Sequence, residues 1–244
     1  MQMRFQNKIC LVTGGTSGIG QATCFRLGQE GATVVVIGRD EKAGNDTVEQ
    51  IKKGGSDALF IATDIGNPDQ IKQCVDTVVS KYGRIDVVVN DAAMMTFKPI
   101  VDLEIEEWDK VMAVNLRSAF LFCKYALPHM TNGAVVNISS VHAHETTPNV
   151  LPYAATKGAL EAFTRGLSLE YPASQARFNC VAPGAVSTPM LWNNPNVKSG
   201  KEKIEGAVGK PENLAAAICF LASDEAAFVN GTTLIVDGGR LDIL

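Results

Sequence analysis

Seven short, β-branched apolar runs recur along the chain with longer amphipathic stretches between them, and this alternation restricts the fold more than any other feature. The runs are Lys8 to Thr13, Thr33 to Ile37, Ala58 to Thr63, Asp86 to Asn90, Ala134 to Ser139, Arg177 to Ala182 and Thr233 to Val236. They are apolar nearly throughout, the pattern of parallel strands buried between two helix layers. Helix-length segments separate them: Gly20 to Gln29, Glu41 to Lys53, Pro68 to Tyr82, Ile105 to Met130, Pro152 to Tyr171 and Pro211 to Ser223. The alternation predicts an α/β fold, a single doubly wound domain over residues 1–244 with a parallel sheet and helices on both faces. Thr188 to Gly209 shows no clear periodicity. In a compact domain a loop of that length is either a functional lid or disordered, and a substrate loop is expected here.

Composition agrees with one large domain. Of 244 residues, 46% are hydrophobic and 20% charged, enough for a substantial core. The formal charge is −4, and no basic stripe marks a nucleic-acid surface. No apolar run reaches membrane-spanning length, and Met1 to Lys8 lacks the apolar core of a secretory signal. Six scattered cysteines (Cys10, Cys24, Cys74, Cys123, Cys180, Cys219) form no C-x-x-C pair, and no histidine stands at metal-ligand spacing. Reduced core thiols and no metal are therefore expected. The expectation is a cytoplasmic protein with neither nucleic acid nor membrane as partner.

Two stretches carry chemistry. The first strand runs into Thr13-Gly14-Gly15-Thr16-Ser17-Gly18-Ile19-Gly20 and then a helix. Glycines there permit a tight turn and let backbone N–H groups approach a pyrophosphate at the helix N-terminus. The spacing is G-x-x-x-G-x-G, not the commoner G-x-G-x-x-G, and taken alone it is also compatible with an ordinary strand-to-helix turn. Further along, Tyr153 and Lys157 stand four residues apart, past a strand ending Asn137-Ile138-Ser139-Ser140. On a helix the phenol and the ammonium share one face. The cation favours the phenolate of a group that ordinarily titrates near about 10, so Tyr153 is a candidate general base. Bringing it to neutral pH takes about 4 kcal/mol, within reach of the lysine aided by a cationic nicotinamide ring.

Together these stretches resemble the short-chain dehydrogenase/reductase family in its single-domain branch. The T-G-x-x-x-G-I-G pattern falls at Thr13 to Gly20, and Y-x-x-x-K at Tyr153 to Lys157. The family's serine, thirteen positions before the tyrosine, is Ser140, and its helix asparagine is Asn115. P-G-x-x-x-T matches Pro183 to Thr188, and a late D-G-G matches Asp237 to Gly239. One stretch departs: the family's usual N-N-A-G after the fourth strand is Asn90-Asp91-Ala92-Ala93 here. Alanine disfavours positive φ, so Ala93 is expected at an ordinary φ that tolerates a methyl. Asp91 is expected to change a hydrogen bond under the cofactor.

The resemblance implies a Rossmann-type NAD(P)-binding domain with a mainly seven-stranded sheet. It also implies an enzyme that interconverts a secondary alcohol or sugar hydroxyl and a carbonyl by hydride transfer. Tyr153 would exchange a proton with the substrate oxygen, and Ser140 would hold that oxygen near the nicotinamide. Lys157 would depress the tyrosine pKa and bind the nicotinamide ribose, and Asn115 would hold a relay water. Implied cofactor contacts are Gly14, Thr16, Ser17, Gly18, Ile19, Gly20, Arg39, Asp64, Ile65, Asn90, Ala92, Tyr153, Lys157, Pro183, Gly184, Val186 and Thr188. Asp64 is equally suited to capping the following helix.

The second strand ends Val36-Ile37-Gly38-Arg39-Asp40. Gly38 stands where NAD-preferring relatives carry aspartate, and Arg39 can meet a 2′-phosphate with help from Thr16 and Ser17. NADP(H) is therefore favoured over NAD(H), although Arg39 alone is also readable as a solvated cation. The resemblance implies substrate walls from Val141, His142, His144, Met94, Met95, Met190, Leu191 and Trp192. Lys198, Lys201 and Lys203, interleaved with Glu202 and Glu205, read as a solvated surface. The alternatives are a 3-ketoacyl thioester reductase, a lyase or isomerase using NAD transiently, and a nucleotide-sensing protein without turnover. Presence of both Tyr153 and Lys157 argues against the last, and the short C-terminus, Arg240 to Leu244, favours plain dehydrogenase chemistry. Relatives form tetramers through the long helices and the last strand, so a homotetramer is expected. The small residues Ala154, Ala155, Gly158, Ala159 and Ala162 either permit close helix approach there or face the sheet.

Overall fold

The computed structural model describes residues 3–201, 203–204 and 206–242, so Glu202, Glu205 and the two residues at each end of the chain lie outside it. Among the described residues seven strands form: β1 (Ile9–Thr13), β2 (Thr33–Gly38), β3 (Ala58–Ala62), β4 (Val87–Asn90), β5 (Gly133–Ile138), β6 (Ala176–Pro183) and β7 (Thr233–Val236). All pair in parallel, in the order β3-β2-β1-β4-β5-β6-β7. The helices are α1 (Gly18–Gln29), α2 (Glu41–Lys53), α3 (Pro68–Tyr82), α4 (Ile105–Met112), α5 (Ser118–Ala126), α6 (Leu151–Glu170), α7 (Pro189–Trp192), α8 (Pro195–Lys198) and α9 (Pro211–Ala222). The doubly wound sheet expected from the apolar runs is the observed architecture.

Strand side chains divide between two cores because successive residues point to opposite faces. Cys10, Val12, Val34 and Val36 pack with Cys24 and Leu27 of α1, Ile51 of α2 and Leu214 and Ile218 of α9. Leu11, Val35, Val88 and Val135 pack on the other face with Ile71 and Val75 of α3, Phe122 of α5 and Leu167 of α6. The six cysteines are buried and free. The winding reverses between β1 and β4, and the carboxyl ends of these two strands open the crevice in which such sheets bind ligands. Among the described residues no helix is long and apolar enough to cross a membrane.

Two segments differ from expectation. The stretch Ile105 to Met130 is broken into α4, a widened π-helical turn at Ala113–Arg117, α5 and a 3-10 turn at Leu127–His129. The π turn carries the buried Asn115, whose side chain bonds back to the segment after β4. Pro128, in the 3-10 turn, has no N–H to continue an α-helical ladder. Thr188 to Gly209, in turn, is not irregular throughout. Pro189 and Pro195 begin α7 and α8, and the side chains of Thr188 and Asn194 cap their N-termini. Proline breaks a helix interior but suits its first turn, a distinction that weak periodicity conceals. The segment's ends are pinned together, with Ser187 N–H donating to Gly209 O at 2.9 Å and Gly209 N–H to Ala185 O at 2.9 Å.

Candidate active site

The turn after β1 is shaped by backbone that only glycine takes easily. Gly14 and Gly18 have φ of +70° and +55°. Gly20 is needed for closeness, because a Cβ there would lie 2.4 Å from the Gly14 carbonyl oxygen. Thr13 Oγ1 accepts the N–H groups of Asp91 (3.0 Å) and Ala92 (3.1 Å), tying the turn to the end of β4. Ala93 is not among the residues with positive φ, as expected for a position that tolerates a methyl. The Asp91 carboxylate sits beneath the turn and accepts the Gly20 N–H.

The strand-end serine and the helix pair meet across from this turn. Ser140 leaves β5 in extended backbone, and its Oγ accepts the His142 N–H at 3.2 Å. Its side chain also hydrogen-bonds Tyr153 on the first turn of α6. Lys157 Nζ lies 5.3 Å from the centre of the Tyr153 ring and donates to Ile138 O at 2.5 Å. Tyr153, Lys157 and Ser140 are all buried. Burial pushes the phenol up to about 12, against the pull of the Ser140 hydrogen bond and with the Asp91 charge adding to it. Burial also brings Lys157 down to about 8, opposed by Asp91. The four-residue spacing of tyrosine and lysine therefore does not by itself lower the phenol's pKa, because desolvation of the phenolate dominates here.

A cleft of about 960 Å³ runs from the glycine turn to these side chains. Its walls include Gly14, Thr16, Ser17, Gly18, Ile19, Arg39, Asp64, Ile65, Ala92, Ser140, Tyr153, Lys157, Pro183, Gly184, Val186 and Thr188. Three expected site residues stand behind the wall. Gly20 packs α1 against the turn. Asn90 Nδ2 donates to Asn137 Oδ1 at 2.8 Å inside the sheet. Asn115 is a tie between segments: its Oδ1 accepts Met94 N–H at 2.8 Å, and its Nδ2 donates to Met94 O (2.9 Å) and Thr156 Oγ1 (3.2 Å).

At the far end, Met94, Met95, Val141, His142, Met190 and Leu191 line the cleft as expected. His142 stacks edge-on against Tyr153, with ring centres 5.7 Å apart, and its Nδ1 lies 3.0 Å from Thr146 Oγ1. His144 and Trp192 do not line it. His144 Nε2 instead lies 3.2 Å from Glu161, and Trp192 Nε1 donates to Ser187 Oγ at 3.0 Å on an exposed face. Sequence reasoning missed Ile204 and Arg240, which also line the cleft. Arg240 is carried there by the turn at Asp237-Gly238-Gly239, where the Asp237 carboxylate accepts the N–H groups of Gly239 (2.9 Å) and Leu241 (2.8 Å). The D-G-G turn is readable from its residue types, but the direction in which it sends the next side chain is not.

The walls fit a nicotinamide dinucleotide. A glycine turn at a helix N-terminus leaves no Cβ between backbone N–H groups and a pyrophosphate, and the buried phenol, hydroxyl and ammonium gather in the same cleft. Comparison with known proteins agrees. The family model described as enoyl-(acyl carrier protein) reductase matches residues 14–240. The chain is 35% identical to a cyclopentanol dehydrogenase from Comamonas sp., over 97% of this chain and 98% of the relative. It is 39% identical to a glucose and ribitol dehydrogenase from Daucus carota, over 98% and 86%. A short-chain dehydrogenase from Burkholderia cenocepacia J2315, solved in complex with NADP, superposes with a TM-score of 0.90 at 30% identity, covering 98% of this chain and 99% of that one. The chain belongs to the short-chain dehydrogenase/reductase family and is an oxidoreductase acting on CH–OH groups.

Proposed function

We propose that the protein interconverts a small secondary alcohol, or a sugar hydroxyl, and the corresponding carbonyl, with Tyr153 as the general acid and base. The observation that carries this reading is the convergence of Ser140, Tyr153 and Lys157 in the same cleft as the glycine turn. When bound, the nicotinamide supplies the hydride donor or acceptor and, in its oxidised form, a positive charge. Tyr153 Oη gives its proton to a carbonyl oxygen during reduction and accepts one from the hydroxyl during oxidation. Ser140 Oγ, hydrogen-bonded to Tyr153, is placed to bond the same oxygen and orient the substrate. Lys157, buried beside the phenol, holds the charge that favours phenolate as the cleft fills. Asn115, buried with its amide bonded to Met94 and Thr156, acts by positioning the Met94 segment and α6 relative to one another. Replacing Tyr153 by Phe is expected to lower turnover by roughly 10²-fold or more while dinucleotide binding, followed by fluorescence, stays within a few-fold. Retained turnover would overturn the assignment.

Met94, Met95, Met190, Leu191 and Ile204 give the cleft an apolar stretch of wall, which suits a compact hydrocarbon ring or chain bearing one oxygen. The loop over 188–209 contributes Pro189, Met190, Leu191 and Ile204 to the cleft wall, with Thr188 and Pro189 standing beside Gly18 of the glycine turn. NADP(H) is the preferred cofactor in this reading. A Cβ on Gly38 would lie 2.6 Å from Thr16 Cγ2, so Thr16 occupies the space an aspartate side chain would need, and Arg39 lines the cleft. We also propose a homotetramer working in the cytoplasm. Ala155 and Ala162 are exposed, and a Cβ on Gly158 would meet nothing within 4 Å, so the small-residue face of α6 looks outward. It adjoins a shallow groove lined by Met112, Leu116, Phe120 and Phe163. β7 is an edge strand with Ile235 exposed, and Phe228, before it, is fully exposed. Both surfaces are the kind that a second copy covers.

A further inference from the structure

We propose that the Asp91 carboxyl takes up a proton when the dinucleotide binds, so that cofactor affinity is linked to the protonation of this one side chain. The inference rests on the dinucleotide reading of the cleft. Its geometric basis is the position of Asp91 under the glycine turn. A Cβ built on Gly20 would lie 2.7 Å from Asp91 Oδ2, and one on Gly14 would lie 3.0 Å from it. The carboxylate accepts the Gly20 N–H, and the residue's own N–H donates to Thr13 Oγ1 at 3.0 Å. The carboxyl is thus held against the underside of the turn, partly buried in the cleft wall beside the place a pyrophosphate would take, while its backbone is tied to β1.

The groups facing Asp91 are few. Lys157 and Tyr153 reach it from α6, and the Cys24 thiol from α1. Lys157 favours the carboxylate, as does the Gly20 N–H, but burial outweighs both and pushes the carboxyl up to about 7. A pyrophosphate held by the N–H groups of this same turn adds anionic charge next to the carboxylate. Like charge raises a carboxyl pKa further, which means net proton uptake on binding wherever the free protein is ionised. Protonated, Asp91 offers one donor and one acceptor, the pattern of the asparagine that the family usually carries at this position. Ionised, it offers only acceptors, under a turn meant for an anion.

Isothermal titration calorimetry of the full chain with NADP+ and with NAD+, in buffers of different ionisation enthalpy, counts the linked protons. NAD+ carries no group titrating between pH 5.5 and 8. Expected is an uptake that is small at pH 5.5 and rises toward one proton between pH 7 and 8. Affinity should fall by up to about tenfold per pH unit in that upper range. Asp91→Asn should lose the uptake and bind more tightly than wild type at pH 8; Lys157 is present in both proteins, so their difference reports Asp91. Equal proton counts in the two proteins would overturn the inference. So would a wild-type count that does not change from pH 5.5 to 8, even if the variant were not obtained folded. Binding by neither dinucleotide would overturn the cofactor reading and this inference together.

Discussion

A methyl group at Gly20 tests whether the glycine turn is a packed phosphate cradle or merely a flexible connection. In Gly20→Ala the new Cβ would sit 2.4 Å from the Gly14 carbonyl oxygen and 2.7 Å from Asp91 Oδ2, where ordinary contacts begin at 3.4 Å. The start of α1 therefore has to move by about 1 Å relative to the turn, since one of the two contacts is backbone and cannot rotate away. Overpacking of this severity costs about 3 kcal/mol. Alanine's better helix propensity returns up to about 1 kcal/mol, leaving a net loss near 2 kcal/mol. For a chain of this length that lowers the melting temperature by roughly 4–8 °C. The displacement also misaims the N–H groups at the head of α1. Losing one hydrogen bond to a charged phosphate costs about 1.5–3 kcal/mol, so the dinucleotide Kd should rise at least tenfold. Thermal unfolding and a fluorescence titration of the purified protein read the two effects separately. A melting temperature within a degree of wild type together with a Kd within twofold would refute the close packing of α1 on the turn.

Arg39→Ala should raise the KM for NADP by roughly tenfold or more while leaving that for NAD nearly unchanged, since the guanidinium meets the 2′-phosphate alone. Equal losses with both cofactors, measured as initial rates, would remove Arg39 from cofactor selection. Light scattering should give four times the chain mass, and a monomer mass would contradict the tetramer assigned to the α6 face and β7 edge.

The parallel sheet was legible in the amino-acid order because burial on both faces leaves a one-dimensional mark. A run such as Val34-Val35-Val36-Ile37 can satisfy both cores at once and little else. The glycine turn was legible for a related reason: Gly14, Gly18 and Gly20 answer to local backbone and close approach, which are set within eight residues. Ser140, Tyr153 and Lys157 could be named from a family pattern, and the fold does bring them to one wall of the cleft. What lay beyond the sequence depended on contacts between distant segments. The break at Ala113–Arg117 exists so that Asn115 can bond Met94 and Thr156, partners 21 and 41 residues away. His144 turned to Glu161, and Arg240 came to the cleft on a turn held by Asp237, for the same reason.

The electrostatics also needed the third dimension. Four residues of spacing put a cation near a phenol, but the burial that holds Tyr153 at about 12 and brings Lys157 to about 8 is a property of the assembled cleft. Hydrophobic pattern determined the architecture, and short motifs determined the family and, through its pattern, pointed to the side chains proposed to react, because these signals are local. Only the tertiary structure decided which of those side chains face the cleft, how far desolvation opposes their charges, and that the carboxyl of Asp91 lies beneath the turn. Those outcomes depend on which distant surfaces exclude water from one another, and no local pattern carries that information.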